Sequence, residues 1–390
     1  MKKMTKRARG NLLNALVILF TIGMVMYLGA KNGDIGDAWR ALRSAETNWL
    51  LAACGSFAVF VVFEAVGIHV FFRQQKVNIN FFSTLLISLI GMFYSNVTPA
   101  ATGGQPMQVF AFKKRGVPTG VSSSGLAVKF FCFQTALLGL GGLMWALHPA
   151  IAAECIARGR VIVATGFILN GFTVAAVLLL AINKNIVRAI ITLLIRAGKA
   201  LRLVKDVGKA ASRADAALND FHASVDIVTH HPMQFLGLLL ISCVQVLGLM
   251  SISYCVYRAM GQSAVSYGDI LTLQFLLYIA ASFTPLPGAS GAQEGGFYLF
   301  FQQVFPEDKI LGALLLWRFF TYYLTLLLGM GCVIGDSTAS MRRHKKEEET
   351  PSADTLEKGE MPIAQENPEI RGYPDASEAG GNQEAERENS

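Results

Sequence analysis

Long apolar runs recur along the first 335 positions, and they constrain the fold more than any other feature of the sequence. Each is close to the roughly 20 helical residues that cross about 30 Å of bilayer hydrocarbon. The runs are Asn11–Ala30, Trp49–Phe72, Phe81–Val97, Thr119–Leu147, Val161–Ile182, Gln234–Tyr257, Ile270–Thr284 and Ile310–Ile334. Because 53% of the residues are hydrophobic and only 16% are charged, a soluble domain is excluded. The sequence predicts an all-α polytopic membrane protein.

The composition changes abruptly after Ile334, where Glu, Pro, Gly and Ser replace the apolar residues. From Glu347 onward there are 13 acidic and three basic residues, which give this segment a net charge of −10. Because the whole chain has a net charge of +7, the remainder carries +17. Such a basic membrane portion suits an anionic bilayer surface. Its cations lie scattered between apolar runs, so we expect no nucleic-acid partner. We predict a membrane domain over residues 1–335 and a disordered acidic cytoplasmic tail over 336–390.

The positive charges predict the topology, because Lys and Arg concentrate in cytoplasmic loops. They mark the N-terminus, Arg73–Lys76, Lys113–Gly116, Arg342–Lys346 and a connection after Ile182 that holds eight cations and four aspartates. If every run crossed the membrane, the second and third of these segments would lie on opposite faces. The conflict disappears if the third and seventh runs break and return to the face from which they entered. We therefore expect about six full spans, two re-entrant hairpins and cytoplasmic termini.

The two breaks have similar sequences, SNVTPAATGGQPMQVF at Ser95–Phe110 and SFTPLPGASGAQEGGF at Ser282–Phe297. Pro and Gly interrupt helices, and a broken backbone at membrane depth is tolerated only where it lines a cavity or is buried in protein. Paired interruptions are typical of transport sites, so we interpret the segments as an inverted repeat around a substrate cavity. One kinked span and an ordinary loop are the alternative. The residues assigned to the breaks are Pro99, Gly103, Gly104, Pro285, Pro287, Gly288 and Gly291.

Four ionisable residues, Glu64, Lys129, Glu294 and Arg318, lie well inside apolar runs. Each costs roughly 2.5 to 3.5 kcal/mol at a helix centre, so each requires a partner or water. We predict the pairs Glu64–Lys129 and Glu294–Arg318, which are either purely structural or part of a headgroup site. The two cations follow their breaking prolines by 30 and 33 residues, so we place them at matching repeat positions and predict that both hold a phosphate. The predicted substrate-binding residues are Lys129, Arg318, Glu294, Gln293, Gln105, Gln108 and Glu64.

Three segments resemble the flippase-like transmembrane family typified by the N-terminal membrane half of lysylphosphatidylglycerol synthase. They are TPAATGGQPMQ with the following KKRG, the P-x-P-G-x-x-G-x-x-E pattern at Pro285–Glu294, and LLWRFFTYYLTLLLG at Leu315–Gly329. The resemblance covers about residues 10–335. It implies movement of a phospholipid, often an aminoacylated one, between the leaflets of the cell membrane. Much of the family carries an acidic residue and an arginine where this chain has Gln105 and Gln108.

Other functions stay open at this stage. The family label implies a phosphatidylglycerol lysyltransferase that uses lysyl-tRNA, although the acidic tail is too short and polar for the catalytic domain of such members. A secondary transporter of a small anion and a membrane scaffold are further alternatives. Five of the six cysteines lie in apolar runs and Cys155 in a loop, which gives no disulfide framework or metal-ligand spacing. Without a Walker motif either, we expect no cofactor. The expected partners are a phospholipid and the membrane, and a homo-oligomer is left open.

Overall fold

The computed structural model describes residues 35–183, a few single positions between 185 and 219, and residues 231–282 and 284–349. All regular secondary structure in these ranges is helical. The helices are α1 (Ile35–Arg43), α2 (Thr47–Gln74), α3 (Phe81–Val97), α4 (Gly104–Lys113), α5 (Thr119–Leu147), α6 (Pro149–Ile182), α7 (Pro232–Ala259), α8 (Tyr267–Ala281), α9 (Ala292–Phe301), α10 (Glu307–Arg318) and α11 (Leu324–Glu349). The chain divides into two units between Ser337 and Thr338, and the described part of the second, residues 338–349, is helical.

Five helical segments among the described residues are long and apolar enough to cross a membrane. They are Thr47–Gln74, Thr119–Leu147, Pro149–Val177, Pro232–Ala259 and Glu307–Thr338. Each overlaps one of the runs predicted to span the bilayer, so the all-helical class and five long apolar helices are confirmed. The run Asn11–Ala30 and the tail from residue 350 lie outside the described residues. The total of six spans therefore stays a prediction.

Helix α6 corrects one part of the sequence analysis. It begins at Pro149, well before the predicted span Val161–Ile182, and it contains Cys155, which the sequence placed in a loop. Glu154 and Arg158 interrupt the apolar run, but both side chains are exposed while Cys155 is fully buried. The charges therefore lie on the exposed face of the helix, and its apolar face extends to the N-terminal side of a kink at Gly159, where φ is −137° and ψ is 34°.

Helices α3 and α4 form the first hairpin, residues 81–113. A 3₁₀ turn, Pro99–Ala101, separates them, and the Thr98 hydroxyl accepts the backbone N–H of Gly103 at 2.8 Å. The two helices run antiparallel, because Gly104 packs against Ser95 near the turn and Gly91 packs against Gln108 farther from it. A Cβ at residue 104 would lie 2.8 Å from the Gly91 carbonyl oxygen, so this close crossing requires glycine.

Helices α8 and α9 form the second hairpin, residues 267–301. Its 3₁₀ turn is Pro287–Ala289, and the backbone takes positive φ at Gly288 (60°) and Gly291 (89°). Residues with a Cβ rarely adopt such angles, which explains the glycines of the sequence motif. The helices pack together through Gly296, which contacts Leu277. The 3₁₀ turns of the two hairpins also contact each other, so both breaks lie in one region of the molecule.

The two hairpins repeat at a constant separation in the sequence. Their turns begin at Pro99 and Pro287, their second helices occupy Gly104–Lys113 and Ala292–Phe301, and the helices that follow begin at Thr119 and Glu307. Each pair of boundaries differs by 188 (for example 292 − 104 and 307 − 119). Inversion of the two copies across the membrane stays a prediction.

This register corrects the predicted equivalence of the two cations. Lys129 and Arg318 are separated by 189 residues, so Lys129 corresponds to Trp317 instead. One position on a helix is a rotation of about 100°. The two cations therefore occupy neighbouring positions of the repeat, whereas Gln105 and Gln293 correspond directly.

Long helices hold the hairpins in place. Helix α2 packs along α7, where Gly248 comes close to the backbone of Ser56 and Phe60. Helix α6 packs along α8 through Gly166, which lies against the backbone of Ile279 and Ala280. Small residues at such crossings let helix backbones approach closely, as is common in membrane bundles. Helix α5 contacts α2, α4, α6, α7 and α8 and so joins both hairpins to this frame.

Candidate functional site

A cavity of about 440 Å³ lies where the two hairpin turns meet. This volume is within the range of small-ligand sites, roughly 300 to 1,000 Å³. Six of the seven predicted substrate-binding residues line it: Glu64, Gln105, Gln108, Lys129, Gln293 and Arg318. Glu294 is the seventh, and it lies against Arg318 with no exposed surface. The predicted hairpin residues lie in or beside the two turns, and Gly288 among them lines the cavity.

Arg318 and Glu294 form the buried ion pair predicted from the sequence. Nε and Nη2 of Arg318 donate to Oε1 of Glu294 at 2.7 and 2.6 Å, and Nη2 also lies 3.3 Å from the Gly288 carbonyl oxygen. Oε2 of Glu294 accepts the backbone N–H of Gly291 at 2.6 Å, so this carboxylate also caps helix α9. The pair therefore ties the turn of the second hairpin to the end of α10. Breaking such a pair would leave an uncompensated buried charge.

A π-helical turn, Phe319–Tyr323, follows Arg318 directly. Turns of this kind are rare in proteins, and those that occur often lie at functional sites. The guanidinium carbon lies 5.4 Å from the ring centroid of Trp317 and 5.3 Å from that of Tyr322, distances at which an aromatic face attracts a cation. Among the described residues, Nη1 of Arg318 has no hydrogen-bond partner. That nitrogen is available to a ligand in the cavity.

Lys129 of α5 and Glu64 of α2 form the second predicted ion pair. Nζ of Lys129 contacts Oε2 of Glu64, and the same oxygen accepts a hydrogen bond from Nε2 of Gln245 at 2.6 Å. The side chains of Lys129 and Glu64 are 11% and 12% exposed. Nζ also lies 5.3 Å from the ring centroid of Phe133. In the described part of the chain, Oε1 of Glu64 has no partner.

Amide side chains supply much of the remaining polarity of the cavity. Gln105, Gln108, Gln134, Gln245, Gln274 and Gln293 all line it. Within the described ranges, Oε1 of Gln245, Gln274 and Gln293 is buried without a hydrogen-bond partner, and these residues are at most 7% exposed. An unsatisfied buried polar atom costs about 1 to 3 kcal/mol. Three such acceptors around one cavity indicate that a ligand or water supplies the donors.

A buried amide network lies behind the wall of the cavity. Nε2 of Gln134 donates to Oδ1 of Asn170 at 2.8 Å, and Nδ2 of Asn170 donates to the Gly166 and Ile279 carbonyls and to the Ser282 hydroxyl. Ile279 lies in the last turn of α8, where helical carbonyls lack intrahelical partners. Asn170 therefore stabilises the end of α8 at the break of the second hairpin.

Four buried amides in or behind the wall are absent from the predicted set: Gln134, Asn170, Gln245 and Gln274. Each is an isolated polar residue within an apolar run. The rule that selects intramembrane charges as functional candidates would have found them if it were extended to amides. No group of three or more potential metal-binding side chains occurs among the described residues.

Comparison with known proteins gives consistent matches. The family described as lysylphosphatidylglycerol synthase TM region matches residues 12–329. A UPF0104 membrane protein from Archaeoglobus fulgidus is 24% identical over 308 residues, which cover 75% of this chain and 87% of that protein. The matched range contains both hairpins and every residue named above as lining the cavity. Together with the five apolar helices, the matches identify a multi-pass membrane protein.

Proposed function

Because the chain belongs to the family of lysylphosphatidylglycerol synthase transmembrane regions, we propose that it is a transporter that moves a phospholipid between membrane leaflets. The observation that carries this proposal is the polar cavity between two broken helical hairpins. Broken backbone at membrane depth is expected only beside a cavity or within protein, and it is typical of transporter sites. The headgroup would enter the cavity while the acyl chains stay in lipid.

The cavity offers contacts to both ends of a polar headgroup. We propose that Arg318 binds the phosphate through Nη1, since its other nitrogens are occupied by Glu294 and Gly288. Lys129 and Glu64 would contact other headgroup groups, with Gln105, Gln108 and Gln293 as hydrogen-bonding partners. The Nε and Nη2 edge of the guanidinium binds Glu294 while Nη1 remains for the phosphate, and a lysine ammonium does not reproduce this division.

Transfer of an acyl-labelled fluorescent phospholipid in proteoliposomes tests this function. An impermeant quencher added outside reaches only the label in the outer leaflet of empty vesicles. With the wild-type protein, labelled lipid from the inner leaflet should move outward, so that nearly all of the label is quenched. Arg318→Met and Lys129→Met should each abolish transfer while the protein still purifies as a monodisperse species, and Arg318→Lys should impair transfer. Arg318→Met should also melt at a lower temperature, because Glu294 loses its counter-charge. Arg160→Met is the matched control, because Arg160 is exposed and lies outside the cavity lining. Unchanged transfer in both cavity variants would overturn the assigned roles.

Thiol labelling of cysteine-free protein tests the orientation of the proposed inverted repeat. We propose that the first hairpin opens to the cytoplasm and the second to the outside. A cysteine at Lys114, after α4, should then resist an impermeant reagent applied outside, and one at Gln302, after α9, should react. A cysteine at Lys199 in the cation-rich connection should also resist. Outside labelling at residue 199 would contradict the two-hairpin topology.

A further inference from the structure

We propose that the headgroup that occupies this cavity has no net charge and carries hydrogen-bond donors, as a zwitterionic aminophospholipid or a neutral glycolipid does. This inference rests on the proposed lipid transport and narrows its substrate. It follows from three observations: the charge balance of the cavity wall, the orientation of the helix ends at the hairpin turns, and a group of unpaired hydrogen-bond acceptors.

The charges at the cavity cancel. Among the described residues, the charged side chains in the lining are Glu64, Lys129 and Arg318, and Glu294 lies directly against Arg318. Each cation therefore has its own carboxylate, and the sum is zero. A headgroup with a net charge would bring an uncompensated charge into a site that the protein has already neutralised. Such a charge is costly in surroundings of low dielectric constant.

The helix ends do not change this balance. At the turn of the first hairpin, the C-terminus of α3 at Val97 lies beside the N-terminus of α4 at Gly104. A helix C-terminus carries a partial negative charge and an N-terminus a partial positive charge, so the two oppose each other. The second hairpin has the same arrangement, and there the Glu294 carboxylate already binds the Gly291 N–H at the start of α9. Neither turn offers an uncompensated positive end to an anion.

The unpaired acceptors favour a ligand with donors over one without them. Nε2 of Gln245 donates to the Glu64 carboxylate, which fixes the orientation of the amide and makes its buried Oε1 a true acceptor. Gln274 and Gln293 add two further unpaired oxygens, and Oε1 of Glu64 adds a fourth. A phosphodiester has acceptors only and would leave these oxygens unsatisfied. Ammonium or hydroxyl groups would satisfy them.

The wall also presents donors, which suit the remainder of such a headgroup. Nη1 of Arg318 and the buried indole N–H of Trp317 have no partner among the described residues. A phosphate would accept from these donors while an ammonium group binds near Glu64. The hydroxyls of a sugar would do both. Net neutrality with donors is the property that both ligands share.

Binding of matched lipids to the purified full-length protein tests this inference. The probes share acyl chains and differ in headgroup: phosphatidylethanolamine, a monoglucosyl diacylglycerol, anionic phosphatidylglycerol and cationic lysylphosphatidylglycerol. We expect one or both neutral lipids to bind at least about tenfold more tightly than either charged lipid, as measured by native mass spectrometry. Which neutral lipid binds identifies the source of the donors. Equal or tighter binding of a charged lipid would overturn the inference.

Charge-changing variants make the test independent of any single lipid. Glu64→Gln leaves the cavity with one excess positive charge, so the preference should shift toward phosphatidylglycerol by about tenfold. Glu154→Gln removes an exposed carboxylate outside the cavity and should shift nothing. An unshifted preference in folded Glu64→Gln would contradict the inference. If that variant does not fold, the wild-type binding order decides.

The outcome for transport is separate from the outcome for headgroup charge. If the wild-type protein moves no lipid in vesicles yet binds neutral headgroups preferentially, the transport function fails and the selectivity stands. If lipids are moved but a charged headgroup binds best, the transport function stands and the inference fails.

Discussion

The two hairpins share the spacing of their turns and second helices but are stabilised by different interactions. The second is fixed by charge: Glu294 binds Arg318 through one oxygen and the Gly291 N–H through the other, with no exposed surface. In this register the first has Pro106 at the position of Glu294, and it is fixed by the close crossing of α3 and α4 at Gly104. The other ion pair at the cavity, Glu64–Lys129, joins α2 and α5 and lies outside the first hairpin.

This difference separates a fixed part of the site from an adjustable one. Both oxygens of Glu294 are occupied within the protein, so a change at Glu294 also disturbs the hairpin turn. Glu64 and Lys129 retain some exposure to the cavity, and one Glu64 oxygen is unpaired among the described residues. Screening by water weakens an exposed pair far more than a fully buried one. We therefore expect the Glu64–Lys129 pair to exchange partners with a headgroup while the Glu294–Arg318 pair persists.

The largest expected effect is that of Glu294→Gln on folding. The variant leaves Arg318 buried without a counter-charge, and loss of one partner of a buried pair typically costs about 3 to 5 kcal/mol. Thermal melting in detergent should show a large destabilisation. A glutamine oxygen can still accept the Gly291 N–H, so the change isolates the charge from the helix cap.

The double variant Glu294→Gln with Arg318→Gln provides the control. It removes both charges, so it should melt closer to the wild type than Glu294→Gln alone does, while lipid transfer stays lost. Strictly additive melting shifts would show that the two residues are uncoupled. The second hairpin would then be stabilised by packing, as the first is, and the comparison would fail.

A smaller effect is expected for Glu64→Gln. Loss of a charge-assisted hydrogen bond costs about 1.5 to 3 kcal/mol, and the partial exposure of Lys129 places this change at the lower end. The substituted amide can still accept from Gln245. The melting temperature should therefore fall less than in Glu294→Gln. Lipid transfer should be clearly impaired even where the protein remains folded. A melting shift as large as that of Glu294→Gln would show that both pairs are structural.

Charge and apolar patterning predict the frame of this molecule well. The five described long helices, both breaks and both ion pairs follow from the cost of polar groups in hydrocarbon. The short helix α1 was not predicted, because it is held by packing of Ala38 and Ala41 against Gly312 of α10. An apolar run cannot indicate a contact of that kind between distant segments.

The details of the site depended on geometry that a linear pattern does not contain. The sequence aligns Thr-Pro with Thr-Pro and so matches Pro99 with Pro285, whereas the 3₁₀ turns match Pro99 with Pro287. The two-residue difference arises because φ and hydrogen bonding define the turn, and a proline alone does not. The π turn after Arg318 is likewise unmarked, since no residue type specifies it.

The smallest expected effect distinguishes the helix crossings of the two hairpins. A Cβ at residue 104 would meet Ser95 and the Gly91 backbone oxygen, so Gly104→Ala requires the backbones of α3 and α4 to separate. Overpacking of this kind costs about 1 to 3 kcal/mol.

A Cβ at residue 296 meets only the end of the Leu277 side chain, which can rotate away. In Gly296→Ala the gain in helix propensity, about 1 kcal/mol, should offset most of the contact. Gly139→Ala is the control, because nothing lies within 4 Å of its added Cβ. Melting should fall for Gly104→Ala, remain near the wild type for Gly296→Ala and rise slightly for Gly139→Ala, which gains helix propensity without a new contact. Equal losses at residues 104 and 296 would show that the second hairpin also depends on backbone contact, and the contrast between packing and charge would not hold.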